Sequence, residues 1–176
     1  MRRDPLIERV LISSDDLAKR CCQMGNELSR DYDGSVPILV CILKGAYVFL
    51  ADLTRCLSID HEVDFMAVSS YEGGTQSTGV VKIIKDLRVN ITDRDVVIVE
   101  DIVDSGLTLS YLIDMLGTRS PRSIRVCALL DKVSARRKDV PIDYRGFEIP
   151  KEFVVGYGLD YDEKYRNLPF IGVLKQ

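Results

Sequence analysis

The sequence predicts an α/β fold built on a mostly parallel sheet flanked by helices, and three observations carry that reading. Val96-Val97-Ile98-Val99 is an unbroken β-branched run, the pattern of a strand buried on both faces. Ile38 to Leu43, introduced by Pro37, is a second such strand. Each passes through a short turn of small residues into an apolar pattern of helical spacing. Repeated strand-turn-helix units place strands parallel and put ligands at their carboxyl ends.

The elements follow in order. Ser13-Ser14-Asp15-Asp16 is an N-cap signal, and Leu17, Cys21, Met24 and Leu28 then recur at helical spacing, so an amphipathic helix runs to the Tyr32-Asp33-Gly34 turn. After the Ile38 strand, Lys44-Gly45 marks its end, and Ala46, Phe49, Leu50, Leu53 and Leu57 define the next helix. His61 to Ser69 and Val80 to Ile84 read as strands around the polar, glycine-rich stretch Ser69 to Gly79. Leu109, Leu112, Ile113 and Leu116 continue the Val96 unit as a helix, and Ile124 to Leu130 is a further strand ending in Asp131-Lys132. Arg136-Arg137-Lys138 reads as a solvated basic loop.

Composition limits the function classes. A chain of 176 residues with 46% hydrophobic content can bury a full core as one domain. The net charge of −3 leaves no electrostatic footprint for nucleic acid. No apolar run approaches a membrane span and no signal-peptide pattern opens the chain, so the expectation is a cytoplasmic protein without membrane or nucleic-acid partners. The five cysteines, with no C-x-x-C among them, read as buried thiols. His61-Glu62 fails as a zinc helix because position 65 is Phe65, and with a single histidine a histidine-based triad is not expected. Gly156-x-Gly158 lacks the third glycine of a dinucleotide fingerprint.

The chemistry concentrates after the Val96 strand. Glu100 and Asp101 are adjacent, so on an extended chain they point to opposite sides, and hard carboxylates at a phosphate loop suit Mg²⁺. Ser105, Gly106, Leu107 and Thr108 open a helix whose free amides favour an anion such as phosphate. Asp104, beside them, is placed to take or hold a proton. Lys44 and Gly45 occupy the corresponding strand end, where Gly45 allows close backbone approach and Lys44 suits a diphosphate. Lys132 sits at a third strand end, where a structural ion pair is the competing explanation.

Val97-Ile98-Val99-Glu100-Asp101-Ile102-Val103-Asp104-Ser105-Gly106-Leu107-Thr108 resembles the phosphoribosyl-diphosphate (PRPP) signature of type I phosphoribosyltransferases. Gly146 to Tyr161 resembles the base-binding hood of the hypoxanthine (guanine) members, with Arg166 at the family's spacing, and the likeness runs from Leu43 to Leu168. It implies the type I fold, with a core over about residues 36–132, a small hood from about 1–12 and 133–176, and a mobile loop over about 69–80 in which Ser70-Tyr71 closes over substrates. It implies Mg²⁺-dependent transfer of phosphoribose from PRPP to a 6-oxopurine, releasing pyrophosphate, with a xanthine-preferring enzyme or a non-catalytic nucleotide sensor as the alternatives.

The roles it implies are specific. Glu100, Asp101 and Asp104 to Thr108 hold PRPP; Lys44, Gly45 and Arg166 hold pyrophosphate, through a Leu43-Lys44 or Lys44-Gly45 peptide that is often cis. Lys132, Phe153, Val154 and Asp160 form the purine side, with Phe153 stacking and Lys132 donating to O6. Glu100, Asp101 and Asp160 face Mg²⁺, and Asp104 is the general base at purine N7. The family also implies a homodimer or homotetramer.

Overall fold

The computed structural model describes residues 6–70 and 81–175. The predicted buried strands pair directly: β2 (Ile38–Leu43) lies parallel to β5 (Asp95–Val103), with Val40 opposite Ile98, and β5 lies parallel to β6 (Ser123–Asp131). Apolar runs buried on both faces belong at the centre of a sheet, and these three take it. β3 (Glu62–Ser70) extends one side in parallel, and β4 (Val81–Lys85) closes it antiparallel; β7 (Tyr144–Glu148) closes the other side, giving the order β4-β3-β2-β5-β6-β7.

Helices cover both faces. α1 (Ser14–Asp31) begins at Ser13, whose Oγ accepts the Asp16 N–H at 3.1 Å. With α2 (Tyr47–Arg55) it buries Leu17, Phe49 and Leu50 against Val97 and Val99. On the opposite face α3 (Leu107–Gly117) buries Leu109 and Leu112 against Val96 and Ile98. The alternation along β5 thus divides the core into two layers.

A second, small sheet is assembled from the two ends of the chain. β1 (Ile7–Ile12) pairs antiparallel with β9 (Ile171–Leu174), which pairs with β8 (Val154–Val155). It stands beyond the carboxyl ends of the main strands and forms the hood.

Two expectations are corrected here. The resemblance implies a hood from about 1–12 and 133–176, yet β7 hydrogen-bonds to β6, so the main sheet continues to Glu148. The reason is local: Gly146 lets the β7 backbone approach Leu129, where a Cβ would meet the Leu129 carbonyl oxygen at 2.2 Å. All five cysteines were read as thiols; Cys21, Cys41 and Cys127 are free and buried, whereas Cys22 and Cys56 are joined as a disulfide between α1 and the end of α2. Gly25, one turn on from Cys22, lets α1 approach the α2 terminus closely, since a Cβ there would lie 2.7 Å from Cys56 Cβ.

Candidate active site

Main-sheet strand ends and the hood enclose a cavity of about 800 Å³. The sheet contributes Lys44 and Gly45 after β2, Asp101 and Asp104 at the end of β5, and Lys132 after β6. The hood contributes Phe153, Val154, Leu159, Asp160, Glu163 and Arg166. Residues far apart in sequence meet because parallel strands deliver their carboxyl ends to one edge.

At the β2 end the Leu43–Lys44 peptide is cis, which fixes which of the two candidate bonds adopts that form. Gly45 follows under the Asp101 carboxylate, and a Cβ there would lie 1.5 Å from Asp101 Oδ2. No residue but glycine fits. The hood presses on the same point, since a Cβ on Gly158 would come within 2.0 Å of the Gly45 carbonyl oxygen.

Charged groups on this side form a chain. Lys44 Nζ donates to Glu163 Oε1 at 2.9 Å, and Arg166 Nη2 donates to Glu163 Oε2 at 3.2 Å. Arg166 Nη2 also lies 2.9 Å from Asp160 Oδ1, and Nη1 donates to the Gly158 carbonyl at 2.8 Å. Lys44 and Arg166 together hold the Glu163 carboxyl below its usual range. Glu163 was not singled out from sequence; nothing in Asp160-Tyr161-Asp162-Glu163 marks which acid returns to the Lys44 turn.

Asp101 and Glu100 divide as adjacent strand residues must. Asp101 faces the cavity, while Glu100 shares the parity of Val96 and Ile98 and is absent from the cavity wall. Burial pushes the Asp101 carboxyl up to about 6, against the Ile102 N–H that it accepts at 2.8 Å. Asp160 adds a nearby negative charge. Glu100 is raised well above its ordinary range, first by burial and then by the Asp101 charge. Among the described residues no cluster of three or more His, Cys, Asp or Glu side chains could form a metal cage. A cation that takes one or two carboxylates plus substrate oxygens needs no such cage, and the elevated Asp101 beside Asp160 suits one.

Ser105 to Thr108, expected from the sequence to hold a phosphate, follow directly after the cavity-lining Asp104. Gly106 caps α3 in the left-handed conformation at φ 79°, and Ser105 Oγ accepts the Leu107 N–H at 3.4 Å, so the hydroxyl and the first-turn amides gather at the start of the helix. Asp104 is exposed and pairs with Lys132, whose Nζ lies 3.3 Å from Asp104 Oδ2. The ion pair weighed against a ligand role for Lys132 is therefore present, and it joins the two residues assigned to the base. Lys132 is held by its main chain too, donating to the Val103 carbonyl at 3.0 Å.

Arg137 and Lys138 are exposed, as a solvated loop requires, and only Arg136 departs from that reading. Arg136 turns inward to the fully buried Asp131, which also pairs with Arg145 Nε at 2.9 Å, and the Arg137 and Lys138 amides both donate to the Ser105 carbonyl at 3.0 Å. Composition shows three cations, not the buried carboxylate that one of them meets.

Phe153 stands 43% exposed at the hood rim, its ring edge-on to Tyr161 with centroids 5.7 Å apart. An aromatic face left open in a cavity offers stacking. The Ser70 backbone ends β3, and Tyr71 and the remainder of the expected mobile loop lie outside the described residues.

Comparison with known proteins covers nearly the whole chain. The phosphoribosyl transferase domain family matches residues 13–162. The hypoxanthine-guanine phosphoribosyltransferase of Bacillus subtilis is 52% identical over 169 residues, spanning 96% of this chain and 94% of its own. Among solved structures, a hypoxanthine-guanine phosphoribosyltransferase from Bacillus anthracis superposes with TM-score 0.93 at 45% identity, covering 96% of this chain and 99% of that one. A hypoxanthine phosphoribosyltransferase from Staphylococcus aureus superposes with TM-score 0.94 at 46% identity, covering 97% of this chain and 92% of its own.

Proposed function

The chain belongs to the phosphoribosyltransferase family, and from that membership we infer the reaction of its hypoxanthine-guanine members: the 5-phosphoribosyl group of PRPP passes to hypoxanthine or guanine, giving IMP or GMP and pyrophosphate. This is purine salvage by a transferase of the type I fold. The observation that carries the reading is the cavity itself, which sets Lys132 and Phe153, Asp104, and Lys44, Gly45, Asp160 and Arg166 around one space. A base, a proton acceptor and a diphosphate site are the parts this transfer needs.

The residue assignments we propose are those that the family resemblance implies, and the lining of the cavity supports them. Phe153 stacks on the purine, the Val154 backbone bonds its edge, and Lys132 donates to O6. Adenine offers an amino group there, so a donor would face a donor. Asp104 holds the proton at N7, a role typically worth ~10²–10⁴-fold in rate. The amides and hydroxyls of Ser105 to Thr108 hold the 5′-phosphate, and Asp101 organises the ribose hydroxyls, with Glu100 buried behind it on the other face of the strand. Lys44, Gly45 and Arg166 take the pyrophosphate, and Ser70-Tyr71 closes the site.

Mg²⁺ suits the carboxylates Asp101 and Asp160, with Glu100 behind them; when bound it would neutralise charge on the departing pyrophosphate. The same reading makes 1–176 a single catalytic domain of the cytoplasm that self-associates as a homodimer or homotetramer, which light scattering would measure. No described helix is long and apolar enough to cross a membrane.

A spectrophotometric panel with PRPP and Mg²⁺ tests the activity against hypoxanthine, guanine, xanthine, adenine and uracil. Turnover of hypoxanthine or guanine that EDTA abolishes is expected. Turnover confined to xanthine would redirect the base assignment, and none with any base would overturn catalysis.

A further inference from the structure

The hood meets the core through a strained stretch that the assigned roles leave unexplained. Gly156, Tyr157 and Gly158 all have positive φ, at 102°, 51° and 104°. For Tyr157 this is a conformation that a bulky side chain adopts only where its surroundings hold it. The consequence lies at the next residue: Gly158 is set against the Gly45 carbonyl, donates its N–H to the Arg166 carbonyl at 3.0 Å and accepts Arg166 Nη1 at 2.8 Å. Both halves of the proposed pyrophosphate site thus depend on where this stretch rests.

What holds it is visible in the side chain. Tyr157 is 6% exposed, and its hydroxyl donates to Asp52 Oδ2 at 2.5 Å across 105 residues of sequence. Asp52 belongs to α2, the helix that follows the Lys44-Gly45 turn, and its other oxygen pairs with Arg55. The Cys21 thiol, from α1, is buried in the same core cluster as Tyr157. Burial and the Asp52 carboxylate push the Tyr157 hydroxyl up, so it stays protonated and remains a donor. A buried hydroxyl donating to a carboxylate is a strong, directional tie.

We propose that Tyr157 is a positioning residue for pyrophosphate, its bond to Asp52 setting the register of Gly158 and Arg166 against Lys44 and Gly45. The inference rests on the phosphoribosyltransferase reading. It assigns Tyr157 no contact with substrate. Lys132 and the Ser105 to Thr108 loop lie on other strand ends, and Phe153 and Val154, though close by in the hood, are held by their own pairing with β9 and Leu174.

The test is calorimetric titration of Mg²⁺-pyrophosphate and, separately, of IMP onto the wild type, Tyr157→Phe, Asp52→Ala, Asp52→Asn and the Tyr157→Phe/Asp52→Ala double variant. Tyr157→Phe keeps the ring and removes only the donor. Its pyrophosphate affinity is expected to fall roughly tenfold, the scale of a lost hydrogen bond to a charged group, with IMP affinity unchanged. Asp52→Ala should match it, Asp52→Asn should restore most of the affinity by keeping an acceptor, and the double variant should be no worse than either single. Wild-type pyrophosphate affinity in Tyr157→Phe overturns the proposal. Equal losses for pyrophosphate and IMP, with a lowered Tm, overturn it as well by making the bond merely structural. Because these titrations read binding, they stand apart from the base panel, where failure would strike the activity instead.

Discussion

Lys132 and Asp104 are paired at 3.3 Å across the ends of two strands, and each is assigned a different atom of the purine. Lys132 is nearly buried, so a ligand oxygen that replaces Asp104 as its partner meets a cation already stripped of most of its water. Lys132→Ala is expected to lower kcat/KM for hypoxanthine and guanine roughly 10²-fold, the upper range for a hydrogen bond to a charged group, with the KM for PRPP unchanged. Steady-state kinetics at varied base and varied PRPP separates the two; unaltered base kinetics would remove Lys132 from the site. Asp104 is exposed, and the role proposed for it is to hold a proton, so its loss belongs in the rate. Asp104→Asn should lower kcat by ~10²–10⁴-fold with little change in PRPP affinity, and an equal kcat would mean that another group handles the proton.

At the scale of elements, the strand-turn-helix units at Ile38 and Val96 were legible because buried parallel strands announce themselves as uninterrupted apolar runs, and the acids and small residues after β5 stand out against them. β7 and the hood strands were not legible: β8 has two residues, β7 carries the Arg145-Gly146 pair, and such short segments take their structure from partners found only in the fold. The contacts of Glu163 and Arg136 were hidden for the same reason. One long-range contact of this kind sets the β3–β4 side of the sheet. Asp64, on β3, accepts the Arg88 and Val89 amides at 2.6 and 3.1 Å and lies 3.5 Å from Lys85 Nζ, which anchors the segment after β4. Burial raises the Asp64 carboxyl, but those amides, the Phe65 amide and Lys85 outweigh it and leave it below the ordinary 3.8. A folded value below the unfolded one means that the stabilisation is present in full above about pH 4 and is lost as the pH falls through the folded value. Asp64→Asn turns an amide nitrogen toward donors and should cost about 1–3 kcal/mol at pH 7. In urea titrations between pH 7 and pH 3 the wild type should lose stability on acidification more steeply than the variant, and parallel curves would show that Asp64 carries no such linkage.

For the whole molecule, the cavity belongs to neither layer alone: Asp101, Asp104 and Lys132 come from the sheet, Phe153 and Arg166 from the hood. A nucleotide bound between them engages groups that come together only in the folded chain, so binding adds to folding stability through mass action. At a hundredfold excess over Kd the gain is about 2.7 kcal/mol, which for a chain of this length raises Tm by roughly 5–10 °C. IMP and GMP should produce that shift, whereas AMP, matched in phosphate and ribose but presenting an amino group to Lys132, should produce a smaller one at the same concentration. The difference isolates base recognition from phosphate recognition within one thermal experiment. In Lys132→Ala the IMP and AMP shifts should converge, because what remains is the stacking face and the phosphate loop, which do not distinguish the two. If the wild type already responds equally to IMP and AMP, Lys132 does not read O6 in the bound nucleotide.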